Sequence, residues 1–365
     1  MIVQITLSNR TIGIFSMKII FFNTFHNGDL FFSKEHIRAI VKANPEHSFY
    51  TACRQFYSLF SDIENLTVLE RPNNVDYDIK SDNIDSTKEY YMREGTFYIN
   101  SGKASPNGIL SCNKFFSDAI NGGNTLGIEP KLKFTELTPA EAVPTVLNGI
   151  HFEELPPEIK SAIVTPCVFY YNLEPRSSMG TIVDDNKNIE ALAQKYPTYT
   201  IIAAKETSIK LKNVLSLYDL NIRESPDGKN LLINAYIASY CPIIITKDVG
   251  GTLIIFNAYT MRTKFKQDII MFRSNDLELG VILKNNFIGD NNKNLILLTA
   301  FDSGTLIGEI EKIGPIQAPT LPLVLSGGGL LRTRRRTKKH KRKNPRRRGQ
   351  KTNKRLTRRG VKLTR

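Results

Sequence analysis

Short apolar runs alternate with amphipathic stretches in two successive blocks of this chain, and this alternation restricts the fold more than any other feature. In the first block, strand-like runs lie at 18–25, 47–53 and 66–72. Between the first two runs, Ile37 and Ile40 recur at helical spacing. Strand, helix and strand at such intervals are typical of a parallel sheet covered by helices. The block therefore predicts an α/β fold.

The first block ends with a longer polar segment. Residues 73–95 are polar and acidic and predict a long loop. After it, 95–102 has strand character and 113–120 has helical character. Proline and acidic residues then crowd 138–160, which indicates a linker between this block and the next.

The pattern restarts beyond this linker. Strand-like runs lie at 164–172, 200–206, 242–248 and 295–299, and helical stretches begin near 185, 229, 250 and 304. Asp184 or Asp185 is expected to cap the first of these helices, which ends at Pro197, because aspartate is a strong N-cap residue and proline stops a helix. A second α/β block is therefore predicted.

Two Rossmann-like α/β domains that face a cleft, followed by a disordered basic tail, are the expected architecture. The predicted parts are an N-terminal extension at 1–16, a first domain at 17–140, a linker at 141–162, a second domain at 163–325, and a glycine hinge with the tail at 326–365. Open α/β sheets bind ligands beyond the carboxyl ends of their strands. We therefore expect a ligand site at that edge of the sheets.

The tail carries the excess positive charge of the chain. Residues 332–365 contain nineteen of the 50 lysines and arginines and no acidic residue, which leaves 31 basic against 35 acidic residues elsewhere. So few apolar residues cannot form a core, so the tail is expected to be disordered. Dense positive charge is expected to bind polyanions without sequence preference. The residues expected to do so are Arg334, Arg335, Arg336, Lys338, Lys339, Arg346, Arg347 and Arg348.

Several polyanions fit this tail. Nucleic acid, anionic lipid, an acidic protein and a capsid are all compatible with it, and a nuclear localisation signal has the same composition. The tail has no aromatic residue to stack on bases, so specific single-strand recognition is not expected. A glycine hinge followed by such a tail also resembles proteins of large cytoplasmic DNA viruses. The expected location is the cytoplasm, with the nucleus or a virion as alternatives.

Cysteine and histidine usage argues against a metal site and a disulfide framework. The four cysteines lie far apart without a C-x-x-C pair, and none of the five histidines pairs with another at metal-ligand spacing. No stretch approaches the roughly 18 apolar residues of a membrane span, and no secretory signal is recognisable. We therefore expect an intracellular protein with reduced cysteines, no transmembrane helix, no metal and no cofactor.

The strongest motif is the sequence KDVGGT at 247–252, which follows an apolar strand. Gly250 and Gly251 allow close approach of a ligand to the backbone, and a helix that begins there directs free N–H groups at an anion. A nucleotide diphosphate, contacted by Asp248, both glycines and Thr252, fits this position. The alternative is an ordinary tight turn between strand and helix.

A second motif is Gly28–Asp29, after the first strand. A carboxylate at this position can accept a proton from a hydroxyl nucleophile. Aspartate is also a common N-cap residue, and from the residues alone a helix cap is the favoured interpretation of Asp29.

A third group follows two strands of the second block. Arg176 and Ser177 lie in the loop after its first strand, and Lys205 lies at the end of the next. Guanidinium and hydroxyl groups can bind phosphate oxygens, and an ammonium group can add a positive charge. A solvated loop and an exposed strand-end lysine are the alternatives.

Taken together, these motifs resemble the GT-B glycosyltransferases, in particular the heptosyltransferase-like branch. That family carries an Asp in a Gly–Asp pair after its first strand, similar to Gly28–Asp29, and the resemblance implies that Asp29 is the catalytic base. Its Asp-x-Gly turn, which holds the donor diphosphate, is similar to Asp248–Gly250, and Lys205 is the nearest match to its donor-binding lysine. The family usually has a histidine shortly after this turn, where 253–255 here is Leu-Ile-Ile.

The resemblance implies transfer of a sugar from a nucleotide-sugar to a hydroxyl acceptor without a metal ion. No cofactor is expected, because the nucleotide-sugar is a substrate. Two alternatives remain open. One is a catalytically inactive GT-B-like protein associated with virions or nucleic acid, and the other is a sugar-nucleotide epimerase of similar architecture.

Overall fold

The structure is a computed structural model of the chain. It describes residues 16–22, 33–52, 57–69, 85, 87–104, 109–138, 141–142, 144, 150–173, 183–225, 228–247, 250–255, 259–260, 263, 265–273 and 293–316. Asp29, Arg176, Ser177 and Asp248 lie outside these ranges, as does the whole basic tail.

The first sheet, sheet A, has five strands in the order β3-β2-β1-β5-β4. Its strands are β1 (Lys18–Phe22), β2 (Ser48–Ala52), β3 (Leu66–Val68), β4 (Tyr90–Arg93) and β5 (Thr96–Asn100). The pairs β1–β2, β1–β5 and β2–β3 are parallel, as predicted, and only β4 runs antiparallel to its neighbour.

Strand β4 corrects one expectation, because the sequence predicted a loop throughout 73–95. Tyr90 pairs with Ile99 and Arg93 with Thr96 across a two-residue turn. Glu94 and Gly95 both have positive φ, at 48° and 71°. Two such residues form the tight hairpin turn that matches the twist of antiparallel strands. The prediction was wrong for 90–93 because the polar residues before Tyr90 are typical of a loop.

Two helices cover one face of sheet A. Helix α1 (Lys34–Ala43) turns Ile37, Ile40 and Val41 towards the sheet, as its spacing predicts, and α2 (Ile109–Thr125) adds Phe116. A 3₁₀ turn, η1 (Tyr57–Phe60), lies between β2 and β3 in the sequence, and a second, η2 (Ser101–Ala104), follows β5. The apolar positions of these helices and of the facing side of sheet A therefore form one buried interface.

The second sheet, sheet B, has six parallel strands in the order β11-β10-β9-β6-β7-β8. They are β6 (Cys167–Tyr170), β7 (Thr200–Ala203), β8 (Val214–Ser216), β9 (Ile243–Lys247), β10 (Gln267–Phe272) and β11 (Lys293–Leu298). Counted within the sheet, the order is 3-2-1-4-5-6, which is that of the Rossmann fold. The order in which strands are added to the sheet therefore reverses between β6 and β9: β7 and β8 lie on one side of β6, and β9, β10 and β11 lie on the other.

Helices cover both faces of sheet B. They are α4 (Asp185–Lys195), α5 (Lys229–Ala238), α6 (Gly250–Ile255) and α7 (Ser303–Ile313). Helices α4 and α7 pack on the face of Val168 and Ile243, whereas α5 and α6 pack on the face of Phe169 and Ile244. Burial on two faces explains why these strands are nearly continuous apolar runs, each fully buried Ile or Phe contributing about 2 kcal/mol.

Between the sheets, η3 (Phe152–Glu154) and α3 (Pro157–Ala162) occupy the predicted linker. Ile159 is fully buried in the same apolar cluster as residues of both sheets, and residues 1–327 belong to one compact unit. Two Rossmann-like sheets confirm the predicted α/β fold class. The domain boundaries and the cleft between the domains stay predictions.

Candidate functional site

The carboxyl ends of β6 and β9 define the position where a ligand is expected in sheet B. These strands are adjacent, and the chain leaves them towards opposite sides of the sheet, which in Rossmann-like sheets is where a crevice binds ligands. Strand β6 ends at Tyr170 and β9 at Lys247. The segments that follow, 174–182 and 248–249, contain Arg176, Ser177 and Asp248 and lie outside the described residues. We call the ends of β6 and β9 the sheet B crevice.

An ion pair lies at this crevice. Nζ of Lys247 is 2.5 Å from Oδ2 of Asp185, the first residue of α4, and the two side chains are 3% and 16% exposed. Burial raises the pKa of Asp185 above its usual range, although the charge of Lys247 opposes this shift. The pair therefore holds two charges in a site where water reaches mainly the carboxylate.

Two uncharged side chains complete the network. The hydroxyl of Tyr170 donates to Oδ1 of Asp185 at 3.2 Å, and Nδ2 of Asn188 donates to that hydroxyl at 3.3 Å. Burial, with the nearby charge of Asp185, raises the pKa of Tyr170 well above its ordinary value. Tyr170 therefore stays protonated and acts as a hydrogen-bond donor. The network connects β6, α4 and β9.

The first turn of α4 resolves the alternative left open for its cap. Oδ1 of Asp184 accepts a hydrogen bond from the backbone N–H of Lys187 at 3.1 Å, so Asp184 is the N-cap. Asp185 instead directs its carboxylate to Lys247. Two carboxylates thus occupy the positive end of this helix.

Helix α6 begins at Gly250 and Gly251, as predicted. Thr252, in its first turn, is fully buried, and its hydroxyl donates to the carbonyl of Lys247 at 2.5 Å and lies 2.7 Å from the hydroxyl of Thr246. These bonds fasten the start of α6 to the end of β9. Because its hydroxyl is already hydrogen-bonded, Thr252 would contact a bound diphosphate through its backbone N–H. That contact stays a prediction.

Lys205 lies at the same edge of sheet B. Its backbone N–H donates to Oδ1 of Asn172 at 2.7 Å, and Nδ2 of Asn172 donates to the carbonyls of Lys205 and Glu206, each at 3.3 Å. Asn172 thus ties the segment after β6 to the segment after β7. Its place directly after a strand is the one signal by which Asn172 could have been found.

A charged cluster that the sequence reading missed lies near the start of α1. Nζ of Lys34 is 2.7 Å and Nη2 of Arg38 is 2.8 Å from the carboxylate of Asp62, and Nε of Arg38 is 2.8 Å from Glu35. Burial lowers the pKa of Lys34. Ser33 occupies the N-cap position of α1. Asp29 lies outside the described residues, so both of its interpretations, helix cap and base, stay predictions.

The described part of the chain also bears on the expectations about disulfides, metal sites and membrane spans. Its cysteines Cys112, Cys167 and Cys241 are buried and form no disulfide. Within the same ranges, no group of three or more His, Cys, Asp or Glu side chains is arranged to hold a metal ion. No helix among them has the length and apolar character needed to cross a membrane.

No protein-family model and no curated protein matches this chain. Among solved structures, the fold is similar to that of E. coli heptosyltransferase WaaC with ADP, at 11% identity and a TM-score of 0.45, over 81% of this chain and 99% of that chain. A glycosyl transferase family 9 protein from Veillonella parvula matches at 11% identity and a TM-score of 0.43, over 83% of this chain and 92% of that chain. E. coli ADP-heptose LPS heptosyltransferase II matches at 11% identity and a TM-score of 0.39, over 81% and 98%. With TM-scores below 0.5, these similarities carry no conclusion about activity or substrate.

Proposed function

We propose that this protein is a glycosyltransferase that moves a sugar from a nucleotide-sugar to a hydroxyl acceptor without a metal ion. The observation that carries the proposal is the strand order of sheet B. Its reversal between β6 and β9 is the position where Rossmann-like sheets bind nucleotides. The segments that follow these two strands contain most of the residues predicted to bind the donor.

In this proposal the donor diphosphate lies beyond β9. Backbone N–H groups at Gly250 and Gly251 bind its oxygens, and Asp248 and Thr252 shape the turn. Arg176, Ser177 and Lys205 approach from the segments after β6 and β7. Positive groups and oriented N–H donors stabilise the negative charge that develops on the leaving diphosphate, which is the role a metal ion has in other transferases.

Asp29 is the proposed base, contributed by the segment after β1. The acceptor oxygen attacks the anomeric carbon while its proton passes to the Asp29 carboxylate, and the bond between that carbon and the diphosphate oxygen breaks. The products are the glycosylated acceptor and a nucleoside diphosphate. Closure of the two halves of the chain would bring acceptor and donor together.

The substitution Asp29→Asn tests the catalytic role. With a nucleotide-sugar that the wild-type chain binds and a panel of hydroxyl acceptors, D29N should lose transfer by at least about a hundredfold, the usual contribution of a general base. Donor affinity should not change. Asp118→Asn, at an exposed position of α2, is the matched control and should keep full activity. Unchanged turnover in D29N would refute the assignment.

The basic tail favours a second candidate, a catalytically inactive GT-B-like protein held on a polyanion in a virion or on nucleic acid. Absence of the family histidine from 253–255 is compatible with this candidate. Such a protein would show no turnover of any nucleotide-sugar. An epimerase, in contrast, would convert its nucleotide-sugar in the absence of an acceptor, whereas a glycosyltransferase needs the acceptor, so product analysis with and without acceptor separates the three functions.

A further inference from the structure

We propose that Lys247 is a phosphate ligand in the sheet B crevice, and that Asp185 is its resident counterion, displaced when a diphosphate binds. This inference rests on the proposed function in one respect: it takes the sheet B crevice as the donor site. It adds a binding residue and an exchange of anions to that proposal.

The first support is the burial of Lys247. A lysine ammonium that is 3% exposed needs a negative partner, since an unpaired buried charge is strongly destabilising. Asp185 supplies this partner at 2.5 Å. Any anion that binds at the end of β9 can supply it equally, and the diphosphate brings more negative charge than one carboxylate.

The second support is the direction from which the pair is reached. Asp185 is more exposed than Lys247, at 16% against 3%, so solvent reaches the pair mainly at the carboxylate. In the sequence, Lys247 directly precedes residues 248–249, and Asp185 closely follows the segment 174–182. The pair therefore joins the two segments predicted to hold the donor.

The third support is the charge around α4. Asp184 and Asp185 both lie at its first turn, and two carboxylates there repel an incoming diphosphate. Binding becomes favourable once Asp185 turns away and the phosphate takes its place beside Lys247. The hydroxyl of Tyr170, which now donates to Asp185, is then left to donate to a phosphate oxygen.

Titration calorimetry of the full-length chain with inorganic pyrophosphate, with UDP, GDP and ADP, and with UDP-, GDP- and ADP-sugars tests this exchange. Asp185→Asn removes the competing carboxylate and should tighten binding by about tenfold. Lys247→Met should weaken it by at least about tenfold. Lys293→Met is the matched control, because Lys293 is also buried in sheet B but binds Thr263 and Phe265 at the start of β11. Its anion affinity should equal that of the wild type.

The double substitution Lys247→Met with Asp185→Asn is a control for misfolding. It leaves no unpaired charge in the site, so a loss of binding in this variant does not come from an unpaired Asp185 carboxylate. It should fold and fail to bind pyrophosphate. Wild-type affinity in the double variant, or equal affinity in all variants, would overturn the inference. If a nucleotide-sugar binds every variant alike, the inference falls while the proposed function stands. If pyrophosphate binding follows the predicted order but no nucleotide-sugar binds, the proposed function falls and the anion exchange stands.

Discussion

Nζ of Lys247 lies 2.5 Å from Oδ2 of Asp185, and this contact joins the end of β9 to the first turn of α4. The two residues come from strands and helices that are neighbours only because of the strand order of sheet B. The pair buries two charges at the sheet B crevice, and the proposed anion exchange depends on it.

Replacing Lys247 alone should therefore destabilise the folded protein. Lys247→Met leaves the buried carboxylate of Asp185 without its partner, and the free energy of unfolding should fall by about 3 kcal/mol, the lower end of the usual range because Asp185 keeps some contact with water. Urea unfolding measures this change. The double variant with Asp185→Asn should recover most of the loss, and an equal loss in both variants would contradict the pairing.

His36 should make stability depend on pH. Its ring is fully buried against Phe116, and Nε2 lies 3.1 Å from Oδ1 of Asn113. Burial lowers the pKa of His36 from 6.5 to about 4. Between these values the unfolded chain binds a proton that the folded chain does not, so stability is present above pH 6.5 and falls as pH drops towards 4, by about 3 kcal/mol in total.

His36→Gln removes this titration. Urea unfolding at several pH values should show a flatter dependence for H36Q than for the wild type between about pH 4 and 6.5, whatever the absolute stability of the variant. Parallel curves for the two proteins would show that His36 does not titrate as its surroundings require.

Gly123 in α2 should not tolerate a side chain. A Cβ at this position would lie 2.8 Å from Ile128 and 2.9 Å from the ring of Phe97, which is fully buried and cannot move aside. Gly123→Ala should destabilise the protein by about 1–3 kcal/mol through overpacking, in spite of the better helix propensity of alanine. Gly308→Ala in α7 has open space and should stabilise by up to about 1 kcal/mol. Thermal unfolding of both variants checks the contrast, and two shifts of the same sign would contradict it.

The basic tail should bind duplex DNA of random sequence with a steep dependence on salt. Because each neutralised phosphate releases a counterion, affinity should fall by about a thousandfold or more between roughly 50 and 200 mM salt. Replacing the eight tail residues named above by glutamine should abolish most binding. Glutamine at Lys114, Lys210 and Lys312, which are exposed on the body, is the control and should change little. Equal effects of the two sets would locate the polyanion site elsewhere.

Much of the fold could be predicted because the strands of sheet B are apolar on both faces. The runs at 164–172, 200–206 and 242–248 all contain a strand, and even the strand near 295–299 and the helix near 304–312 are confirmed. Strand β10 was missed, since it begins with Gln267. That side chain is buried, and its Nε2 donates to the carbonyls of Ala238, Ser239 and Cys241, so a polar residue is satisfied inside the sheet.

The site was less accessible to sequence reasoning. The start of α6 at Gly250 and Gly251 was predicted correctly from the glycine pair that follows an apolar strand. The partnership of Asp185 with Lys247 could not be predicted, since an aspartate at the start of a helix is read as a cap. Only the strand order, which places β9 beside β6, brings these residues together.

Thermal unfolding of the full-length protein with UDP-, GDP- and ADP-sugars tests the central claim most directly. A ligand present at about one hundred times its dissociation constant stabilises the folded state by about 2.7 kcal/mol. At least one of these nucleotide-sugars should therefore raise Tm by about 5 °C or more, and Lys247→Met should lose that shift. An unchanged Tm with every nucleotide-sugar at millimolar concentration would contradict a donor site in sheet B.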